Sequence, residues 1–118
     1  MPKILVVDDA EFLRVRLTRM LSADGYDVFQ AENGLKAVST YKEIRPDLVL
    51  MDVTMPEMDG LTALKEIVGF DPRARVVMLT ALGQESVVLE AVKSGARDFV
   101  VKPFDHERVM KAITKLLA

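Results

Sequence analysis

A chain of 118 residues, half of them apolar and none of them cysteine, can bury one core and has neither a disulfide framework nor thiolate metal ligands. Its formal charge of -2, from 16 basic and 18 acidic side chains, gives no broad basic field for nucleic acid. Its apolar runs fall far short of the roughly 20 residues that cross a bilayer, and residues 1–7 lack the apolar core of a secretory signal, so a single cytoplasmic domain over 1–118 is expected.

The first element, "KILVV" at 3–7, is short, β-branched and apolar almost throughout, as a strand buried on both faces requires. It runs into two adjacent acids, Asp8 and Asp9. Helical spacing follows at Phe12, Leu13, Leu17, Met20 and Leu21, with Asp9 as its candidate N-cap and Gly25 as its C-cap candidate. A weaker strand reads over "DVFQ" at 27–30. Behind the N-cap candidate Asn33, Ala37, Val38 and Tyr41 mark a second helix. "DLVLM" at 47–51 is again a buried strand, followed by Asp52 and a loop marked by Pro56 and Gly60. Leu61, Leu64, Ile67 and Val68 then give a helix with Gly69 as its C-cap candidate. "RVVML" at 75–79 leads into Thr80. A helix at Val88, Leu89 and Val92 ends before Gly95, and "DFVV" at 98–101 leads to Lys102 and Pro103. The last helix, at Val109, Ile113 and Leu116, begins behind Asp105.

Five strands alternating with five helices imply an α/β fold: a doubly wound parallel sheet covered on both faces, with right-handed crossovers. Such sheets bind ligands beyond the carboxyl ends of their strands. Those ends carry Asp8 and Asp9, Asp52, Thr80 and Lys102, so three acids, a hydroxyl and an ammonium are expected to converge on one edge.

Each residue also has a plainer local reading. Asp9 can cap a helix, Asp52 can be a turn aspartate, Thr80 can be an ordinary strand residue, and Lys102 can be a surface lysine. Capping accounts for one aspartate but not for its neighbour. Lys102 follows "FVV" and precedes a proline, which restricts its backbone and suggests a fixed ammonium. Crowded carboxylates repel and raise one another's pKa unless a cation intervenes. An all-oxygen ligand set suits Mg²⁺ or Mn²⁺ better than zinc. The lone His106 is expected at the surface, and Met51, Met55, Met58 and Met78 in core and loop packing.

"VVDDA", "LVLMDVTMPEMDG", "VVMLTA" and "SGARDFVVKPF" stand in the order and spacing of a known family. Over nearly all 118 residues the chain resembles the receiver domain of a two-component response regulator, of the single-domain chemotaxis type. The resemblance implies a flavodoxin-like (βα)5 fold with strand order 2-1-3-4-5. It implies that Asp52 is the nucleophile, phosphorylated by the phosphohistidine of a CheA-like sensor histidine kinase. Asp9, Asp52 and the carbonyl of Thr54 would hold Mg²⁺, with Asp8 nearby or acting through water. Lys102, before a proline bond that is usually cis in this family, would contact a phosphoryl oxygen. Thr80 would donate its hydroxyl to the phosphoryl group, and Phe99 would then move inward, although locally it reads as a core aromatic.

The implied output surface is the fourth helix, fifth strand and fifth helix of a monomer, with the flagellar motor switch as one downstream partner. "VVLEAV" at 87–92 is apolar more widely than one buried stripe needs, which makes Val87, Val88 and Val92 candidates for that surface. A phosphorelay intermediate is an alternative, and so is a receiver cut from a DNA-binding regulator, although nothing before Ala118 resembles a linker or a helix-turn-helix. A flavodoxin-type carrier would need small phosphate-cradling residues where "DDAEF" stands, and a haloacid-dehalogenase-type phosphatase would need an acid where Thr54 stands. Thr54 and Leu82 are implied to flank the path of hydrolytic water, which leucine cannot orient.

Overall fold

The computed structural model describes residues 1–55 and 57–118; Pro56, which the sequence marks as part of a loop, lies outside them. Five parallel strands, β1 (Lys3–Val7), β2 (Asp27–Ala31), β3 (Leu48–Asp52), β4 (Val76–Thr80) and β5 (Asp98–Val101), lie in the order β2-β1-β3-β4-β5. Helices α1 (Glu11–Ala23), α2 (Gly34–Ile44), α3 (Gly60–Phe70), α4 (Glu85–Lys93) and α5 (His106–Leu117) follow the strands in turn. Strand order reverses between β1 and β3, which pair through Ile4 with Leu48 up to Val7 with Met51. The interior strands β3 and β4 are buried along their whole length, while the edge strands β2 and β5 are only partly covered. That explains why "DVFQ" reads weakly: an edge strand keeps polar residues facing solvent.

Period-two alternation along the strands divides the core in two. Leu5, Val7, Val49, Met51 and Met78 pack with Ala37, Tyr41, Leu64 and Ile67 of α2 and α3. Ile4, Val6, Leu48, Leu50, Val77 and Leu79 pack with Leu17, Leu21, Val109 and Ile113 of α1 and α5. Among the described residues no helix is long and apolar enough to cross a membrane.

Several boundaries differ from the expected ones, for local reasons. β3 and β4 each sit one residue later than read, because Asp52 pairs with Leu79 while Asp47 turns aside to accept the Lys3 N–H at 2.7 Å. Asp9 does not cap α1; Ala10 stands at that position without a side-chain bond. Asn33 and Asp105 cap α2 and α5 as expected, and Asp59 caps α3 through the Thr62 N–H. Gly25 and Gly95 adopt φ of 93° and 112° just past α1 and α4, as helix-ending glycines do. Gly69 does not end its helix: α3 runs through it to Phe70 and stops where Asp71, extended at φ -138°, precedes Pro72. Phe12, read as part of the buried stripe of α1, is 77 % exposed. On α4 the stripe is likewise turned outward, with Ala91 buried and Val87 packed on the core while Leu89 and Val92 face solvent.

Candidate functional site

The carboxyl ends of β1, β3, β4 and β5 bring Asp8 and Asp9, Asp52, Thr80 and Lys102 to one edge of the sheet. One carboxylate oxygen from each of Asp8, Asp9 and Asp52 lies within 4.8 Å of the others. Lys102 reaches in from the far side of the sheet, its Nζ 3.3 Å from Asp8 Oδ2 and 3.1 Å from Asp52 Oδ1. The ammonium is therefore fixed between two acids. Its backbone is fixed as well, the Lys102 N–H donating to the Thr80 carbonyl at 2.6 Å, and the Lys102–Pro103 bond is cis.

Asp8 is almost wholly buried, at 1 % exposure, and Asp52 is nearly so, while Asp9 lies open to solvent. Asp8 is held by its surroundings: Oδ1 accepts the Ala10 N–H at 2.9 Å, and its carbonyl accepts Arg14 Nη1 at 2.8 Å. Burial pushes the Asp52 carboxyl up from the usual aspartate value; the Lys102 charge opposes this, and the charges of Asp8 and Asp9 reinforce it. Burial works to lower the Lys102 pKa, but the attraction of Asp52 and Asp8 outweighs it and holds the ammonium above the ordinary lysine value. The acids thus carry more negative charge than one lysine neutralises. An all-oxygen cluster with an exposed member, Asp9, is a donor set that fits a hard divalent cation with retained waters.

Two supporting residues escape sequence reading. Gly60 opens α3 directly against the end of β3: its N–H donates to the Val53 carbonyl at 2.8 Å, and a Cβ there would collide with the carbonyl of Asp52. Arg14 ties α1 to the end of β1. Gly60 reads locally only as a loop glycine and Arg14 as a surface arginine, because the contact each makes with the end of the preceding strand depends on how the helix is set against it. Thr54 is exposed two residues beyond Asp52, and Thr80 is buried at the end of β4, one position past the residue paired with Asp52. Phe99 is not brought into the site and is no core aromatic. It is 38 % exposed and lines a groove with Val88, Leu89, Val92 and Val101, because β5 is an edge strand. His106 lies at the surface, as expected, with Nε2 2.6 Å from Asp24 Oδ2.

Residues 4–114 match the model of the response regulator receiver domain. The chain is 54 % identical to the chemotaxis protein CheY of Bacillus subtilis (strain 168), over 98 % of this chain and 97 % of that protein. It is 49 % identical to the chemotaxis protein CheY of Thermotoga maritima, over 97 % and 96 % respectively. A chain in the crystal structure of the CheX-CheY-BeF3-Mg+2 complex from Borrelia burgdorferi superposes with a TM-score of 0.93 at 38 % identity, covering 98 % of this chain and 89 % of that one. Strand-end acids on a 2-1-3-4-5 sheet and near-full-length similarity agree: the chain belongs to the response regulator receiver domain family and is homologous to the CheY chemotaxis response regulators.

Proposed function

We propose that Asp52 is the phosphoacceptor of a chemotaxis response regulator, taking its phosphoryl group from the phosphohistidine of a sensor histidine kinase. The observation that carries this reading is the lysine held at 3.1 Å from a buried, charge-crowded Asp52. In the transfer, an Asp52 oxygen forms a bond to phosphorus as the bond from phosphorus to the histidine nitrogen breaks; with a proton on the ring's other nitrogen, the products are an acyl phosphate and a neutral imidazole. Little covalent work falls to the protein, because phosphoryl transfer depends on alignment and charge neutralisation. Lys102 stands where it can follow a phosphoryl oxygen, and Thr80 can donate its hydroxyl to another.

Asp9, Asp52 and the Thr54 carbonyl would hold Mg²⁺, with Asp8 behind them. Bound there, Mg²⁺ supplies the positive charge that the acids and the incoming phosphoryl oxygens both need. The chain then acts as one receiver unit that assists its own phosphorylation and dephosphorylation without turning over an external substrate. Its output is a change in a protein-binding face formed by α4, β5 and α5, with Phe99 moving inward as Thr80 is drawn to the phosphoryl group. The groove at Phe99 supports that reading, and so does the relative crystallised with CheX. A cytoplasmic monomer facing a kinase upstream and a motor-type protein target downstream fits these features.

Incubation with acetyl phosphate and Mg²⁺ should add one phosphoryl group to the wild-type chain and none to Asp52→Asn, which keeps the side-chain shape but removes the nucleophile. Equal labelling of the two proteins would overturn the assignment.

A further inference from the structure

The β4–α4 connection holds a side chain that the chemistry above leaves unused. Gln84 stands at the N-cap of α4, yet it makes no capping hydrogen bond, whereas Asn33, Asp59 and Asp105 cap their own helices. Its amide turns back instead. Oε1 accepts the Ala81 N–H at 2.6 Å, and Nε2 donates to Thr54 Oγ1 at 3.1 Å. Ala81 directly follows Thr80, and Thr54 is two residues beyond Asp52. One neutral side chain therefore ties together the loops that leave β3 and β4.

Gln84 also lines the groove in which Phe99 lies, so it touches both the acid edge and the candidate output face. The helix it begins is lightly held, with Ala91 its one buried residue. Lightly packed elements move at small cost. Thr80 and Ala81 share a peptide unit, so drawing Thr80 toward Asp52 carries the Ala81 N–H with it, and hydrogen bonds weaken steeply as their geometry is disturbed.

We propose that Gln84 is a positioning residue: a latch between Thr54 and Ala81 that holds the β4–α4 loop in the arrangement of the free protein and gives way when the site is occupied. This role rests on the phosphoryl chemistry assigned to Asp52 and Thr80. A contact made in the free state and lost in the occupied state lowers affinity for whatever occupies the site. Removing it should therefore tighten binding.

Beryllofluoride with Mg²⁺, titrated by fluorine NMR, is the probe, applied to wild type, Gln84→Met, Thr54→Val and the double variant. Gln84→Met keeps the stem and removes both hydrogen bonds. It should bind beryllofluoride about three- to tenfold more tightly, as the loss of one or two modest hydrogen bonds implies. Its Phe99 ring resonances should also lie part of the way toward the occupied position before any ligand is added. Thr54→Val should gain part of the effect alone and nothing further in the Gln84→Met background. Mere loosening of the fold would weaken binding and lower Tm, so it cannot produce this pattern. Affinity in Gln84→Met equal to or weaker than wild type overturns the latch, and so does a double variant whose gain is the sum of the singles. Failure of wild type itself to bind beryllofluoride overturns instead the reading of Asp52.

Discussion

Asp52 and Lys102 oppose each other in what they contribute to stability. Burial raises the Asp52 pKa in the folded chain above its ordinary value of 3.8, so folded protein binds that proton more tightly than unfolded protein does. The charged carboxylate is thus a cost above the folded pKa, and the cost vanishes as pH falls below the unfolded one. Asp52→Asn should accordingly raise Tm at pH 7. The difference from wild type should shrink in thermal melts carried toward pH 4. Lys102 has the opposite sense: its raised pKa makes it stabilising below the ordinary lysine value of 10.5, with the contribution lost as pH rises through the folded pKa. At pH 7 it is fully present. Lys102→Met leaves Asp8 and Asp52 crowded without a partner and should cost about 2 kcal/mol, less than a fully buried pair would because the ammonium is partly exposed. Millimolar Mg²⁺ should recover more of that loss than it adds to wild type, as paired melting curves would reveal. Gly60→Ala, with its collision against the Asp52 carbonyl, should both destabilise the chain and slow labelling by acetyl phosphate.

Among the elements, β1, β3 and β4 are legible in the sequence because burial on both faces demands unbroken apolar residues. Their ends are legible because an acid or a hydroxyl interrupts the run, as the Lys102 ammonium does after β5. α4 is legible in part: the excess of apolar residues at 87–92 points to an outward face, and Val88 and Val92 line a surface groove with Phe99, whereas Val87 packs on the core. Apolar spacing identifies a helix and cannot say whether its stripe meets the core or a partner. Phe99 reads locally as core and lies at the surface because a place at the sheet edge is a property of strand order. Asp8, Asp9, Asp52, Thr80 and Lys102 could be gathered by the strand-end rule. The contacts of Gly60, Arg14 and Gln84 could not, because a local pattern marks a loop glycine or a surface side chain without saying which backbone it meets. Thr80→Ala should still accept a phosphoryl group at Asp52 while the beryllofluoride-induced shift of Phe99 resonances falls well below that of wild type; a full shift would remove Thr80 from the link.

Across the whole molecule, two rigid half-cores hold a parallel sheet whose one edge concentrates negative charge. Binding that favours the folded chain stabilises it with the logarithm of the free ligand concentration, so Mg²⁺ at ten times its Kd should add about 1.4 kcal/mol, or roughly 5 °C in Tm. Asp9→Asn should reduce that gain. Borohydride reduction identifies the acceptor directly, because an aspartyl phosphate is reduced to homoserine whereas a free carboxylate is untouched. After treatment with acetyl phosphate and Mg²⁺, peptide mass mapping should find homoserine at position 52 in wild type and at no position in Asp52→Asn. Homoserine at Asp8 or Asp9 in place of Asp52, or its persistence in Asp52→Asn, would contradict the account.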